Sequence, residues 1–78
     1  MTRQATRQAR ECADRLLLWL GEHDMSALRF AQMARVSEST IYTFLGGKGM
    51  MSVETLTRIC KRHKISADWL LGLEEGEQ

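Results

Sequence analysis

The sequence predicts an all-α fold of five short helices, the second and third joined as a helix-turn-helix, and three observations predict it. Proline is absent and no stretch alternates like a strand, whereas apolar residues recur at helical spacing. Ser26, Ser37, Ser52 and Ser66 each stand directly before such a run, where a hydroxyl can accept from the unpaired N–H groups of a first helical turn. Only Arg35 and Val36 lie between a helix ending near Ala34 and the Ser37 cap, so those two helices must turn sharply against each other.

A chain of 78 residues makes one domain, just long enough for a single core. Residues 1–5 read as a flexible basic arm, 6–73 as the folded domain and 74–78 as an acidic tail. Cys12 and Cys60 sit inside helical patterns and not at metal-ligand or redox spacing, so reduced, buried thiols in a cytoplasmic protein are expected. No apolar run approaches a membrane span and no secretory segment opens the chain. The formal net charge is only +1, but it is polarised: Arg3, Arg7 and Arg10 lie at one end, Glu74, Glu75 and Glu77 at the other.

The first helix begins at about Thr6, with Ala9, Ala13, Leu16, Leu17 and Leu20 as its apolar stripe, Trp19 at the edge and Gly21 near its end. Glu22, His23 and Asp24 form a polar connection in which His23, lacking a partner at metal spacing, is an ordinary loop histidine. Met25 is expected to dip into the core before the second helix, Ala27 to Ala34, where small Ala31 and Ala34 permit close approach. On the third helix Ile41, Phe44 and Leu45 share one side, leaving Glu38, Ser39, Tyr42, Thr43 and Gly46 on a polar side free of long apolar residues. Such a face suits insertion into a partner as well as plain solvation. The fourth helix turns Val53, Leu56, Ile59 and Cys60 inward and Arg58, Lys61, Arg62 and Lys64 outward. Those cations complement the helix dipole. After Ser66, Trp69 and Leu70 are expected to pack back on the core, leaving Leu71 and Leu73 as an apolar remainder.

Phe30-Ala31, Val36-Ser37, Thr40-Ile41 and Gly46-Gly47-Lys48, followed by Ser52 to Ile59 and the closing Ile65-Ser66-Ala67-Asp68-Trp69-Leu70-Leu71-Gly72, resemble the phage-repressor and Cro-like helix-turn-helix family over nearly the whole chain. The resemblance implies the lambda-repressor-like fold, a compact bundle of five short helices, and double-stranded DNA as partner. It aligns Ser37, Glu38, Ser39 and Thr43 with base-reading positions, with Tyr42 beside them. A carboxylate can accept from a cytosine amino group, hydroxyls donate or accept, and a threonine methyl can touch a thymine methyl. Glu38 in a first turn also simply favours the helix dipole, and both roles can hold together.

Phosphate contacts are expected from the helix N-terminus behind Ser26, from Arg29, Arg35 and Lys48, and from the Gly46-Gly47 backbone, although glycine after a helix also serves as a plain C-cap. Arg3 and Arg7 are candidate DNA-arm residues, and Leu71 and Leu73 candidate dimer contacts. Three departures from the family pattern stand out. Ala27 replaces a phosphate-binding glutamine, Arg35 a turn glycine, and Leu20 with Leu45 a buried Arg–Glu pair, for which apolar packing is a fair substitute.

The expected function is a sequence-specific, non-enzymatic transcriptional regulator, a phage or prophage-type repressor binding an inverted-repeat operator as a homodimer. A small autoregulator, such as an antitoxin or restriction-modification controller, or the N-terminal domain of a longer repressor fits the same residues. A protein–protein interaction module is the reading from another class. No paired-carboxylate, Cys–His or Ser–His–Asp arrangement and no Gly-rich phosphate loop between strand and helix points to an enzyme, a cofactor or a metal.

Overall fold

Five helices make up the computed structural model, which describes residues 7–74: α1 (Arg7–Glu22), α2 (Ala27–Ala34), α3 (Glu38–Leu45), α4 (Val53–His63) and α5 (Ala67–Leu71). Each of α2 to α5 starts at its serine, whose Oγ accepts from the backbone N–H three residues on: Arg29 at 3.1 Å, Thr40 at 3.4 Å, Thr55 at 3.1 Å and Trp69 at 3.1 Å. Their ends share one device. At Asp24, Arg35, Gly47, Lys64 and Gly72 the chain turns left-handed, with φ between 52° and 79°. The next N–H then reaches back to the last turn, as in Met25 to Leu20, Val36 to Ala31 and Ile65 to Cys60. Three of these five residues carry a Cβ into a region that favours glycine, so Asp24, Arg35 and Lys64 hold backbone strain.

α1 lies across the bundle, packing on α3 and α5, while α2 packs on α3 and α4. Their shared core is Cys12, Leu16, Leu20, Phe30, Ala31, Ala34, Ile41, Phe44, Ile59, Ile65 and Leu70. Ala31 and Ala34 are buried on α2, as close approach of α3 requires, and Met25 and Leu45 pack against the core from its margin. Leu20 is buried, so the Leu20 and Leu45 sites are both apolar.

Three expectations need correction. Leu17 is 49% exposed, because it stands roughly 80° round the helix from the Ala9–Leu16–Leu20 line, and Cys12 fills the other flank of that stripe. Val53 is 79% exposed: it opens α4, and that first turn overhangs the core, which begins with Leu56 and Ile59. Leu71 is half-buried and packs against the core; of the apolar remainder Leu73 alone stands out, at 58% exposure.

One contact the chain's periodicity does not announce joins α1, α2 and α4. His63 stacks on Phe30 with ring centroids 4.1 Å apart and planes 9° from parallel, and its Nε2 hydrogen-bonds the Phe30 carbonyl at 3.1 Å. Trp19 meets both rings edge-on at 5.5 Å and is itself stacked by His23 at 3.8 Å. Burial and the nearby Arg62 and His23 charges push the His63 imidazole below its ordinary value, with burial the largest cause. α5 is held to α1 by Arg15, whose guanidinium donates to the Leu70 carbonyl at 3.3 Å; a Cβ at Gly72 would collide with it at 2.7 Å.

Candidate nucleic-acid interface

α3 is fastened at both ends, and that decides what its outer face can do. At its start the Ser37 hydroxyl caps Thr40 and shares a 2.9 Å hydrogen bond with the Ser39 hydroxyl. At its end Gly47 N–H donates to Phe44 and Lys48 N–H to Thr43, a closed C-terminal cap. Ile41 and Phe44 are buried behind it. Glu38, Ser39, Tyr42 and Thr43 are consequently all exposed on one rigid face, with Tyr42 54% exposed. These groups supply a carboxylate acceptor, two aliphatic hydroxyls and a phenol, a mixed hydrogen-bonding set of the kind that reads base edges in a major groove. Beside it, Ser39 and Thr43 join Met50 and Met51 in lining a shallow groove of about 330 Å³.

The expected phosphate ligands divide. Ser26 and Arg29 are exposed at the start of α2, as are the side chains of Arg35 in the turn and Lys48 beyond α3. The glycines behave otherwise: Gly46 N–H donates to Tyr42, Gly47 N–H to Phe44, and Gly47 is buried. A Cβ at Gly47 would lie 3.6 Å from the Arg10 Cα. The Gly46 and Gly47 N–H groups are therefore both engaged in closing α3 and not free for a phosphate. Gly47 is left-handed, at φ 72°, a conformation that favours glycine, and a Cβ there would make only ordinary van der Waals contact with α1.

That contact brings in a residue not among the phosphate contacts expected from the sequence. Arg10 is exposed and its backbone adjoins Gly47, so α1 contributes a basic residue at the end of α3. A signal for it exists in the basic spacing Arg7-Arg10, but the neighbour across the fold is invisible in one dimension. Arg7 is exposed in the first turn of α1, and Arg3 and the rest of the proposed arm lie outside the described residues, as do Glu75 and Glu77 of the tail. Glu74 is described, and its carboxylate accepts from Ser66 Oγ at 3.3 Å.

A second basic surface lies on the far side of the turn. Arg35, Arg58, Lys61 and Arg62 line an open groove of about 800 Å³ between the end of α2 and α4. Arg58 donates to the Arg35 carbonyl at 3.0 Å and Arg62 Nε to the Met33 carbonyl at 3.1 Å, so two guanidiniums are anchored on the carbonyl end of α2. The thiols take no part in either surface. Cys12 is buried, Cys60 half-buried, and burial pushes both thiols above their ordinary value, which favours the protonated form. Among the described residues no group of three or more His, Cys, Asp or Glu side chains converges on a metal-sized site. No helix among them is long and apolar enough to cross a membrane.

A family model described as the Cro/C1-type HTH DNA-binding domain matches residues 15–73, from the middle of α1 to the end of α5. No curated protein and no solved structure matches the chain.

Proposed function

The chain belongs to the Cro/C1-type helix-turn-helix DNA-binding family, and on that basis we propose that it is a sequence-specific transcriptional repressor of the phage or prophage type. It acts as a homodimer on an inverted-repeat operator. One observation supports this most: the exposed Glu38, Ser39, Tyr42 and Thr43 form a single face on a helix clamped at both ends. Fixing that helix beforehand lowers the ordering cost of binding and lets individual side chains discriminate bases.

Placed in a major groove, Glu38 accepts from a cytosine amino group, while Ser39 and Thr43 exchange hydrogen bonds with base edges. Ser37 is largely committed to its cap and to Ser39, so it positions the helix start. Tyr42 reaches either a base edge or a phosphate. Ser26 at the N-terminus of α2, Arg29, Arg35, Lys48 and the newly adjacent Arg10 take the flanking phosphates, and Arg7 leads into an arm of residues 1–5 ahead of the 6–73 domain. Two subunits set their α3 helices about 34 Å apart, in successive major grooves. Exposed Leu73 is the candidate self-contact, with the 74–78 tail beyond it. Catalysis has no part in this activity.

Selection of bound duplexes from a random pool, repeated at two salt concentrations, tests the reading. Enrichment of an inverted repeat whose half-sites lie one helical turn apart is the expected result. Salt-sensitive binding without an enriched sequence contradicts sequence-specific repression, and no binding at either salt contradicts DNA recognition by this face.

A further inference from the structure

We propose that the groove between α2 and α4 is a second DNA-contact site, taking the phosphodiester backbone that flanks the segment read by α3. This rests on the DNA-binding reading above and extends it to residues outside the helix-turn-helix.

Four cations line the groove, Arg35, Arg58, Lys61 and Arg62, and no acid is among its lining residues. Glu54, which does not line it, pairs with Arg58 at 3.2 Å on the exposed surface. Capping explains part of this arrangement, since the carbonyl end of α2 attracts positive charge. It does not explain all of it. Arg62 donates to Met33 through Nε, and Arg58 uses one N–H on Arg35 and one on Glu54, whereas each guanidinium carries five. Lys61 serves neither anchoring bond.

The anchors have a further effect. Two guanidiniums held by backbone carbonyls lose little freedom when an anion arrives, and the planar fork matches a phosphate in a way a mobile lysine does not. The shape fits as well: the space is an open trough of about 800 Å³, suited to an extended polyanion and not to one enclosed ion. Its position selects the polyanion. One wall is Arg35, two residues before the Ser37 cap of α3, so the trough starts where the reading helix starts and leads away along α4. When the start of α3 enters a major groove, the first helix of the motif, here α2, crosses the DNA backbone, and the end of α2 forms one side of the trough.

The test compares the selected operator with the same operator lengthened by half a helical turn on each side, using the full chain. The probe is salt-dependent binding by fluorescence anisotropy. Lys61→Gln leaves both anchoring bonds in place, and a Lys61→Gln/Arg62→Gln pair follows, each checked for folding by its thermal transition. Wild type is expected to bind the longer duplex more tightly and with a steeper salt dependence. Lys61→Gln should cut the slope on that duplex by about 0.9, close to an eightfold loss at 0.1 M salt, the double variant by about twice that slope, with the short duplex unaffected. Slopes matching wild type on the long duplex overturn the proposal while leaving the α3 reading intact. Failure of wild type to bind either duplex overturns that reading itself. A poly-glutamate peptide that shifts the Lys61 and Arg62 amide resonances, with DNA slopes unchanged, assigns the groove to an acidic protein segment and also overturns the proposal.

Discussion

Replacing Arg35 by glycine should make the protein more stable and a weaker DNA binder, two effects that usually travel separately. Arg35 sits at φ 59° and ψ 45°, a left-handed conformation that closes α2 through its own N–H to Gln32 and the Val36 N–H to Ala31. A side chain there costs about 1–2 kcal/mol. Glycine removes that strain but adds freedom to the unfolded chain, a penalty of about 0.5–1 kcal/mol. The balance is a gain centred on about 0.75 kcal/mol, or about 3–6 °C in Tm for a domain of this size. The Arg58 bond to the residue 35 carbonyl survives, since it uses backbone only. Loss of the guanidinium removes one phosphate contact and should lower the salt slope of DNA binding by about 0.9. Lys64→Gly is the control: φ is 60° there too, but its neighbours are Trp69 and Ile65, away from α3. It should gain similar stability and bind DNA as wild type does. Thermal unfolding by circular dichroism and binding by anisotropy read both effects. A Tm for Arg35→Gly equal to or below that of wild type would falsify the strain argument, whatever happens to binding.

Stability should also depend on pH through His63. Its folded-state value is depressed by burial, so the unfolded chain takes up the proton more readily; the contribution is complete above the ordinary value of 6.5 and is lost as pH falls below it. Urea midpoints between pH 7.5 and 5 should decline, and His63→Phe, which keeps the stack on Phe30, should flatten the decline; an equal slope in both proteins rules out His63 as its source. Ser52→Ala removes the α4 cap from Thr55 and should cost about 1 kcal/mol in a denaturant titration, with no change expected if water replaces the hydroxyl fully. Glu38→Ala, Ser39→Ala and Thr43→Ala should each relax preference at particular operator positions by about 1–3 kcal/mol. Lys48→Ala should instead weaken all sequences alike, and identical profiles from the two sets would dissolve the division between reading and anchoring residues.

Local rules carried the helix starts. Ser26, Ser37, Ser52 and Ser66 satisfy N–H groups within three residues of themselves, so their role is visible in the sequence, and the Ile41–Phe44 spacing places the polar side of α3 outward wherever the helix packs. Arg35, where the family pattern has a turn glycine, marked a place that a positive φ would strain, and φ is 59° there. Helical periodicity gives direction but not the extent of the surface it meets, which is why Leu17 at the margin of α1 and Val53 in the overhanging turn of α4 looked buried. Gly47 read as a cap that could also cradle a phosphate, and its N–H donates to the Phe44 carbonyl at the end of α3.

The amino-acid sequence by itself determined five helices, the serine-capped starts of α2 to α5 and the chemistry offered by the outer side of α3, because caps and periodicity act within a few residues. Only the tertiary structure decided that His63 lies flat on Phe30, that Arg10 adjoins Gly47, and that Arg58 and Arg62 are anchored on the carbonyls of Arg35 and Met33. These pairs are 23 to 37 positions apart in the chain, and which partner a side chain meets over such distances is set by how whole helices share a core, not by any local preference.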